Sequence, residues 1–448
     1  MFLLYHPPAY LKSPCTYGKI AIEETKEAVH LLKKLALFFV IVLLLGATGK
    51  IFLADSGQKD FFLPDAKNDS FFAALFSGKD KSDSAASSGA EPSQPEPAPP
   101  APHPADALLE TMPLEQKVGQ LFFARCPDEG AAHEISSLHP AGYILFARDF
   151  EGETPDSVRD TIAGYQNAAS IPMLIGVDEE GGTVVRVSKY RAFRRWSFQS
   201  PQELNEEGGN DAFVYDTAEK DALLQGLGIN VNLAPVCDVV TNRGDYMYRR
   251  ALGQDAEATA NYVRTVVTQM KKDGIGAVLK HFPGYGPNGD THEGRMTDSR
   301  SMQTYQNSDF LPFQAGIEAG AGGVLMHHIT VECMDGSAPA SLSPRVHEIL
   351  REELGFSGVI MTDDLAMGAL SGITDAGEAA VRAVQAGNDL ILSSDLATQH
   401  AAVLNAVDEG TISEEEIDEH LRRVLDWKVS LGLMTYDGLT AAPEEDAA

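Results

Sequence analysis

The feature that most constrains the fold of this chain is the alternation of short apolar runs with helix-like stretches across residues 107–436. Several runs are apolar almost throughout, which is typical of parallel strands with both faces covered. The segments between them, such as 255–273 and 375–387, have the length and apolar spacing of helices. The candidate strands are residues 119–124, 142–147, 173–178, 229–235, 277–283, 323–328, 358–363 and 390–394.

This alternation predicts an α/β fold with a single (β/α)8 barrel of the TIM type, and a doubly wound open sheet is the alternative on spacing alone. The barrel is favoured because reactive side chains gather where the strand runs end. In a barrel all those ends share one face, so distant residues converge on one pocket. The strand-end residues are Asp178, Lys280, His281, His327, His328 and Asp363.

The first quarter of the chain predicts a membrane address and a tether. Residues 35–54 contain one charge, Lys50, and twenty helical residues would measure about 30 Å, the thickness of a bilayer core. A cleaved signal peptide and a transmembrane anchor both remain open. Lys33 and Lys34 precede this segment, so residues 1–34 are expected to be a cytoplasmic tail or an extended n-region, with the rest of the chain extracytoplasmic. Residues 55–106 are predicted to be a disordered linker rich in Pro, Ala, Ser and Glu, and 437–448 an acidic tail.

Charge and cysteine usage exclude several classes of protein. The chain carries 35 Lys and Arg against 65 Asp and Glu, a formal net charge of −30, which would repel the phosphate backbone of nucleic acids. Nucleic acid is therefore not an expected partner. The four cysteines, at positions 15, 126, 237 and 333, form no C-x-x-C pair, so neither a zinc knuckle nor a disulfide framework is predicted.

The segment 280–292 contains the first motif that carries chemistry. Its glycines formally match a dinucleotide fingerprint, but Pro287 interrupts the turn and Asp-Thr-His-Glu follows in place of an apolar helix. We interpret it as a mobile loop. Asp290 and His292 are two residues apart, so in an extended loop both side chains face the same way and the carboxylate can orient the imidazole. The pair predicts a proton-transfer dyad, with a plain polar surface loop as the alternative.

The segment 358–368 forms the second motif. An apolar strand run ends in Asp363, which places a carboxylate at the mouth of the barrel, where it can act as a nucleophile or bind an ion. The neighbouring Asp364 fits a helix N-cap better.

The segment 176–186 forms the third motif. Asp178 ends a strand, the following glycines permit close backbone approach, and Arg186 returns towards the same site. A carboxylate beside basic donors holds sugar hydroxyls through paired hydrogen bonds, so this motif predicts a sugar site.

Together the three motifs, in this order, resemble the family-three glycoside hydrolases, and specifically their β-N-acetylhexosaminidase branch. The resemblance covers residues 108–433. It includes Val-Asp-x-Glu-Gly-Gly-x-Val-x-Arg, Lys-His-Phe-Pro-Gly-x-Gly, Asp-Thr-His and Thr-Asp-Asp-Leu-x-Met, together with Ser-Leu-Ser-Pro at 341–344 and Glu-Leu-Gly-Phe-x-Gly at 353–358.

The resemblance implies a retaining glycosidase that removes terminal β-linked N-acetylglucosamine from the non-reducing end, with peptidoglycan fragments of a bacterial cell envelope as the expected substrate. Asp363 matches the nucleophile, His292 the acid/base and Asp290 the residue that holds it. A retaining mechanism needs those two roles, and the unperturbed pKa of histidine, about 6.5, allows both proton transfers near neutral pH. No metal or other cofactor is required. The positions that match sugar-binding residues are Asp178, Arg186, Arg250, Lys280 and His281.

Three departures from the family pattern bear on specificity. Thr183 replaces the usual first arginine after Gly-Gly, Tyr285 replaces a histidine in Pro-Gly-His-Gly, and the loop before Asp290 is one residue short.

Other functions stay open on the residues alone. One is a metal-dependent barrel hydrolase that uses strand-end imidazoles as ligands. Another is an inactive surface protein that binds sugar, and a third is a phosphorylase with the same dyad. The candidate metal ligands are His281, His292, His327 and His328.

Overall fold

The computed structural model describes residues 102–370 and 372–437. The predicted segments 1–34 and 35–54, most of the linker 55–106, and all of the predicted tail 437–448 except its first residue lie outside the described residues. Within the described ranges, no helix combines the length and the apolar character needed to cross a bilayer.

Eight parallel strands form one sheet in the order β7-β6-β5-β4-β3-β2-β1-β8. Met361 of β7 pairs with Leu390 beside β8 as a parallel bridge, so the sheet curves round and nearly closes. The predicted α/β barrel is therefore confirmed. The strands are β1 Phe122–Arg125, β2 Gly142–Leu145, β3 Leu174–Val177, β4 Val231–Asn232, β5 Gly276–Phe282, β6 Gly323–Met326, β7 Val359–Thr362 and β8 Ile391–Ser393.

All eight strands fall inside or beside the predicted runs. The first begins later than predicted, because Leu114–Gly119 is a helix whose last residue occupies the start of the predicted run. Three short strands outside the barrel, Thr297–Asp298, Thr330–Val331 and Gly336–Pro339, were not predicted. They are only two to four residues long and lack the apolar runs by which the barrel strands were found.

Helices cover the outside of the barrel and begin where their capping residues predict. Asp255 accepts a hydrogen bond from the Ala258 N–H at 2.9 Å, and Asp375 accepts one from Glu378 N–H at 2.8 Å. The longer helices are Ala131–Leu138, Pro155–Ala168, Asn210–Leu227, Ala256–Asp273, Phe310–Ala319, Ala376–Ala386, Leu396–Asp408 and Glu414–Ser430, and the shorter ones are Asp106–Leu109, Leu114–Gly119, Pro201–Glu207, Met302–Thr304, Glu332–Asp335 and Pro344–Glu348.

The barrel interior is filled by apolar side chains and is closed at the amino ends of its strands. Trp427 of the helix Glu414–Ser430 belongs to the same buried cluster as Phe123, Val278 and Met361. A Cβ at Gly322 would lie 2.1 Å from the Trp427 indole nitrogen, so a glycine is needed there for the ring to close that end. The barrel is therefore open only at the carboxyl ends of its strands.

The folded domain begins a few residues before position 107. Ala105 is fully buried, and Asp106 starts the helix Asp106–Leu109 and bonds Arg422 at 2.9 Å. The His103 ring lies 3.2 Å from Asp426. The last residues of the predicted linker are thus packed against the C-terminal helix.

Candidate active site

A cavity of 790 Å³ opens at the carboxyl ends of the barrel strands. Phe123, Leu233 and Leu325 belong both to its lining and to the barrel core, so its floor is apolar. Its remaining lining is largely polar and comes from the strand-end loops. Seven of the eight residues predicted from the motifs line it: Asp178, Arg186, Arg250, Lys280, His281, His292 and Asp363.

Asp363 directly follows β7 and is held at the strand end. Its backbone N–H donates to the Met326 carbonyl at 2.9 Å, and its carboxylate accepts the Asp364 N–H at 2.9 Å. Burial raises the pKa of this carboxyl, but His328, His281 and the Asp364 N–H oppose it, and the net result is a lowered pKa. The side chain is therefore a carboxylate at neutral pH, the form that a nucleophile needs.

Asp364 has a different role from its neighbour. Its carboxylate accepts the Ala366 N–H at 2.9 Å and a hydrogen bond from Ser394. It stabilises a turn after β7 and not the first turn of an α-helix, so the predicted helix cap is corrected to a turn cap.

Asp290 and His292 form the predicted pair. The His292 Nδ1 lies 2.7 Å from the Asp290 carboxylate, which also accepts the His292 backbone N–H at 2.9 Å. Burial alone would raise the pKa of Asp290. The hydrogen bonds with His292 outweigh burial and lower this pKa, so Asp290 is charged. The His292 side chain is 66% exposed at the cavity mouth, and its Nε2 is the ring nitrogen not bonded to Asp290.

The loop that carries this pair is fixed at two points. The Ala369 N–H donates to the Thr291 carbonyl at 2.9 Å, which ties the loop to the segment after Asp363. The buried Tyr285 hydroxyl accepts the Thr291 N–H at 3.1 Å and lies 3.0 Å from the Thr291 hydroxyl. Tyr285, one of the departures from the family pattern, thus anchors the residue between Asp290 and His292.

Lys280 and Arg250 share a buried carboxylate, Glu180. The Lys280 ammonium lies 2.6 Å from Asp178 and 2.6 Å from Glu180, and the Arg250 guanidinium binds Glu180 in a bidentate manner at 2.7 and 3.0 Å. Burial raises the pKa of Glu180, but Arg250 and Lys280 outweigh it and hold that pKa well below its usual range. The two cations are therefore locked in place by a permanent negative charge.

Asp178 is the carboxylate of this network that lines the cavity. It is 18% exposed, and Arg186 approaches its second oxygen at 3.8 Å. The fully buried Glu179 accepts the backbone N–H groups of Arg186 and Val187 at 2.7 and 2.8 Å, which turns Arg186 back towards the strand end. Asp178, Lys280 and Arg186 together present an acceptor beside donors, the arrangement that binds neighbouring sugar hydroxyls.

His281 is oriented by two partners. Its Nδ1 lies 2.8 Å from the buried Asp238, and its Nε2 lies 3.3 Å from an Arg250 nitrogen. Arginine is only a hydrogen-bond donor, so the Nε2 atom of His281 accepts from Arg250. The ring proton is therefore on Nδ1, which donates a hydrogen bond to Asp238. Asp238 also accepts the Tyr285 N–H at 2.7 Å, so it connects the cavity-lining His281 to the anchor of the loop that carries Asp290 and His292.

Residues 113–427 match the N-terminal domain of glycosyl hydrolase family 3. The chain belongs to glycosyl hydrolase family 3. Membership confirms the resemblance found in the motifs and the glycosidase that they predicted.

Relatives of this family-3 chain carry β-hexosaminidase names. A β-hexosaminidase of Stenotrophomonas maltophilia (strain R551-3) is 36% identical over 245 residues, which are 51% of this chain and 68% of the relative. A family-3 β-N-acetylglucosaminidase structure from Paenibacillus sp. str. FPU-7 matches with a TM-score of 0.67 and 32% identity, and the match covers 72% of this chain and 63% of that one. A β-N-acetylhexosaminidase structure from Beutenbergia cavernae gives a TM-score of 0.62 and 26% identity, over 71% of this chain and 99% of that one.

Two network residues of this family-3 site were missed in the sequence. Glu180 lies inside the motif 176–186, directly after Glu179. No local sequence pattern distinguishes these two glutamates, so the sequence does not indicate which of them binds Lys280 and Arg250. Asp238 lies six residues after the end of β4 and three after the predicted run 229–235, so the strand-end position that identified Asp178 and Asp363 did not identify it.

The metal-dependent alternative finds no ligand set among the described residues. No three of the His, Cys, Asp and Glu side chains in that part of the chain form a group that could hold a metal ion. The His328 ring bonds Ser341 at 2.7 Å and the Asp364 carbonyl at 3.0 Å, and the His327 Nδ1 accepts the Ile329 N–H. Burial lowers the pKa of His327 to about 4, so this imidazole is neutral and packs inside the protein.

Proposed function

We propose that this family-3 chain is a retaining β-N-acetylhexosaminidase that removes terminal β-linked N-acetylglucosamine from the non-reducing end of glycans. The observation that carries the proposal is that an ionised strand-end carboxylate, Asp363, and a carboxylate-held imidazole, His292, line one cavity with a set of sugar-binding groups. The β-hexosaminidase names of the relatives support the 2-acetamido sugar.

In the first step the Asp363 carboxylate attacks the anomeric carbon. His292, charged and hydrogen-bonded to Asp290, donates its Nε2 proton to the glycosidic oxygen as that bond breaks. The products are a glycosyl ester on Asp363, a released alcohol and a neutral His292. Asp290 holds the Nδ1 side of the ring and so fixes Nε2 as the nitrogen that carries the mobile proton.

In the second step water attacks the same carbon from the side vacated by the alcohol. The neutral His292 takes a proton from this water, and the ester bond to Asp363 breaks with its electron pair returning to the carboxylate. The sugar leaves with its original anomeric configuration, and both side chains return to their starting protonation states. Water is the only co-reactant.

Sugar binding falls to the charged network beside the nucleophile. Asp178 accepts from one hydroxyl while Lys280 and Arg186 donate to its neighbours. His281 of β5 and Arg250 of the loop after β4 also line the cavity. Because Glu180, Asp238 and Glu179 hold these groups before substrate arrives, binding does not require them to reorganise.

We place the enzyme outside the cytoplasm, held by or released from the segment 35–54, with peptidoglycan fragments bearing N-acetylglucosamine on N-acetylmuramic acid as substrate. This part rests on the sequence: two lysines precede the apolar segment and a Pro-rich spacer follows it. Fractionation of cells that make the full chain should recover activity in membranes or in the external medium. Full-length protein found soluble in the cytoplasm with its N-terminus intact would contradict the location.

The reaction is tested with the full-length protein on an aryl N-acetyl-β-glucosaminide and the matching aryl β-glucoside, with and without inorganic phosphate. Turnover of the first substrate at least tenfold faster than the second, with free N-acetylglucosamine as product in both buffers, is expected. A sugar phosphate as product would identify a phosphorylase. Binding without any turnover would identify a sugar-binding protein, and loss of turnover upon chelation would identify a metal-dependent enzyme.

A further inference from the structure

The loop that follows Arg186 carries exposed cations around an exposed tryptophan. Trp196 is 63% exposed, and the guanidinium carbons of Arg191 and Arg195 lie 5.7 and 5.4 Å from its ring centroid. Lys189, Arg191 and Arg195 are all exposed. We call Lys189, Arg191, Arg195 and Trp196 the basic-aromatic patch.

The loop holds this patch on a fixed base. The Ser188 hydroxyl bonds the buried Glu179 and accepts the Phe198 N–H at 3.2 Å, while the Gly182 N–H donates to the Phe198 carbonyl at 2.9 Å. Arg194 adds a bidentate pair with Glu219 of the helix Asn210–Leu227 at 2.9 and 3.2 Å. Both ends of the loop and its middle are thus bonded to the barrel, so the exposed indole is not a consequence of an unanchored segment.

The patch is positively charged, whereas the chain as a whole is strongly negative. The net charge is −30, yet none of the three exposed cations forms an ion pair with another described residue, whereas Arg194 is neutralised by Glu219. The nearby glutamates Glu203 and Glu207 bond Ser200 and Gln199 instead. Guanidinium groups bind carboxylates in a bidentate manner, and an indole face packs against the C–H face of a sugar ring, so the patch fits an anionic glycan.

The patch lies on the loop after β3, which also contributes to the lining of the cavity. Thr183, Val184 and Arg186 line the cavity, and the patch follows them on the same loop after β3. A substrate whose terminal sugar occupies the cavity must leave it across these strand-end loops.

We propose that the basic-aromatic patch binds the carboxylate-bearing part of a glycan whose terminal sugar occupies the cavity. This deepens the proposed function and rests on it, because it assigns to the substrate an acidic leaving group. An anionic membrane surface has similar chemistry. The glycan is favoured because the patch is carried by the loop whose first residues, from Thr183 to Arg186, line the cavity that would hold the terminal sugar.

The test compares three full-length variants with the wild type: Arg191→Gln/Arg195→Gln, Trp196→Ala and, as a charge-matched control, Lys271→Gln/Lys272→Gln. The two control lysines end the helix that leads into β5, at the opposite end of the barrel. Substrates are an N-acetylglucosaminyl-N-acetylmuramyl peptide, which is acidic, diacetylchitobiose, which is neutral, and an aryl N-acetylglucosaminide. Each patch variant should raise KM for the acidic substrate about three- to tenfold, the range of a few weak charge and stacking contacts. The aryl substrate and the control variant should show no change.

Binding measurements with the peptide and with lipid vesicles distinguish a glycan-binding patch from a membrane-binding one. Binding of the N-acetylmuramyl peptide alone, followed by calorimetry, should weaken by the same factor in the patch variants, and this readout does not depend on turnover. If wild type lacks aryl turnover, the proposed function fails, while the binding measurement still tests the patch. Unchanged KM and unchanged peptide binding in the patch variants would overturn the patch proposal. Weaker binding of these variants to phosphatidylglycerol vesicles, with unchanged peptide affinity, would also overturn it and would assign the patch to a membrane.

Discussion

Two buried carboxylate clusters lie at opposite ends of the barrel strands and use similar side chains differently. At the carboxyl end of β3, Glu180 binds Lys280 and Arg250. Just before β8, Asp389 binds Arg351 at 2.5 Å and Arg423 at 2.8 Å. Asp389 also accepts from His420 at 2.9 Å and from the Ile360 N–H at 2.8 Å.

The clusters differ in whether a carboxylate stays open to solvent. Asp389 is completely buried, and burial alone would raise its pKa, but His420, Arg351 and Arg423 lower that pKa to about 2. Around Glu180, by contrast, Asp178 remains partly exposed and lines the cavity. A cluster whose carboxylate is buried stabilises the fold, whereas one with a partly exposed carboxylate retains a hydrogen-bond acceptor for a ligand. The strand end at which the cluster lies decides which it becomes.

The largest effect expected at the open end is that of Asp363→Asn. The variant removes the nucleophilic charge but keeps the shape, so kcat should fall by about three orders of magnitude or more while the melting temperature changes little. Steady-state kinetics and trapping of the wild type with a fluorinated substrate, followed by sequencing of the labelled peptide, check this.

Asp364→Asn is the matched control, because asparagine can still accept the Ala366 N–H. It should cost stability and leave the chemical step intact. A label on Asp364 or on any glutamate would contradict the assignment of the nucleophile.

The second effect is that of His292→Ala, which should depend on the leaving group. Substrates with poor leaving groups should lose about 10²–10⁴-fold in kcat, and activated aryl substrates much less, because they need little protonation to depart. Asp290→Asn should give the same pattern more weakly, and the double variant should be no worse than His292→Ala alone.

His133→Ala, an exposed histidine on the helix Ala131–Leu138, is the control and should change neither rate. Equal losses for good and poor leaving groups would assign His292 a binding or structural role.

At the closed end, Asp389→Asn should destabilise the fold without changing the chemistry. Removing one partner of a buried charge cluster costs about 3–5 kcal/mol of the free energy of unfolding, because Arg351, Arg423 and His420 lose their counter-charge. The folded fraction should keep the wild-type kcat, measured with denaturation curves and active-site titration in parallel.

The stability of the wild type and that of Asp389→Asn should depend differently on pH. The folded pKa of Asp389, about 2, lies below its ordinary value of 3.8, so its contribution is fully present above pH 4 and is lost as pH falls towards 2. Wild type should therefore lose more stability than Asp389→Asn between pH 4 and 2. Parallel losses in the two proteins would show that the cluster does not stabilise the fold.

The smallest predicted effect is that of Tyr285→Phe. Loss of the hydroxyl leaves the Thr291 N–H without its acceptor and loosens the dyad loop, so kcat for poor leaving groups should fall about three- to tenfold, with KM nearly constant. Tyr165→Phe, which removes a hydroxyl bonded to Cys126 and away from the cavity, is the control. An identical loss for all leaving groups would separate Tyr285 from the acid/base step.

The strand positions and most of the site could be predicted because they depend on local patterns. Apolar runs mark strands with both faces covered, and the residue after each run reaches the open face of a barrel whatever the loops do. Asp178 and Asp363 were found in this way. The start of β1 was placed too early because the helix Leu114–Gly119 is continuous in composition with the strand that follows.

The sequence by itself determined the barrel and which side chains stand at its mouth, because alternation and strand-end position are properties of short segments. Only the tertiary structure decided which of those groups bind each other. Glu180 is chosen over Glu179 as the partner of Lys280, and Tyr285 reaches Thr291, through side-chain directions set by packing between separate strands. Such contacts join residues distant in the chain, so no local pattern encodes them, and they fix the charges and orientations on which the chemistry of the site depends.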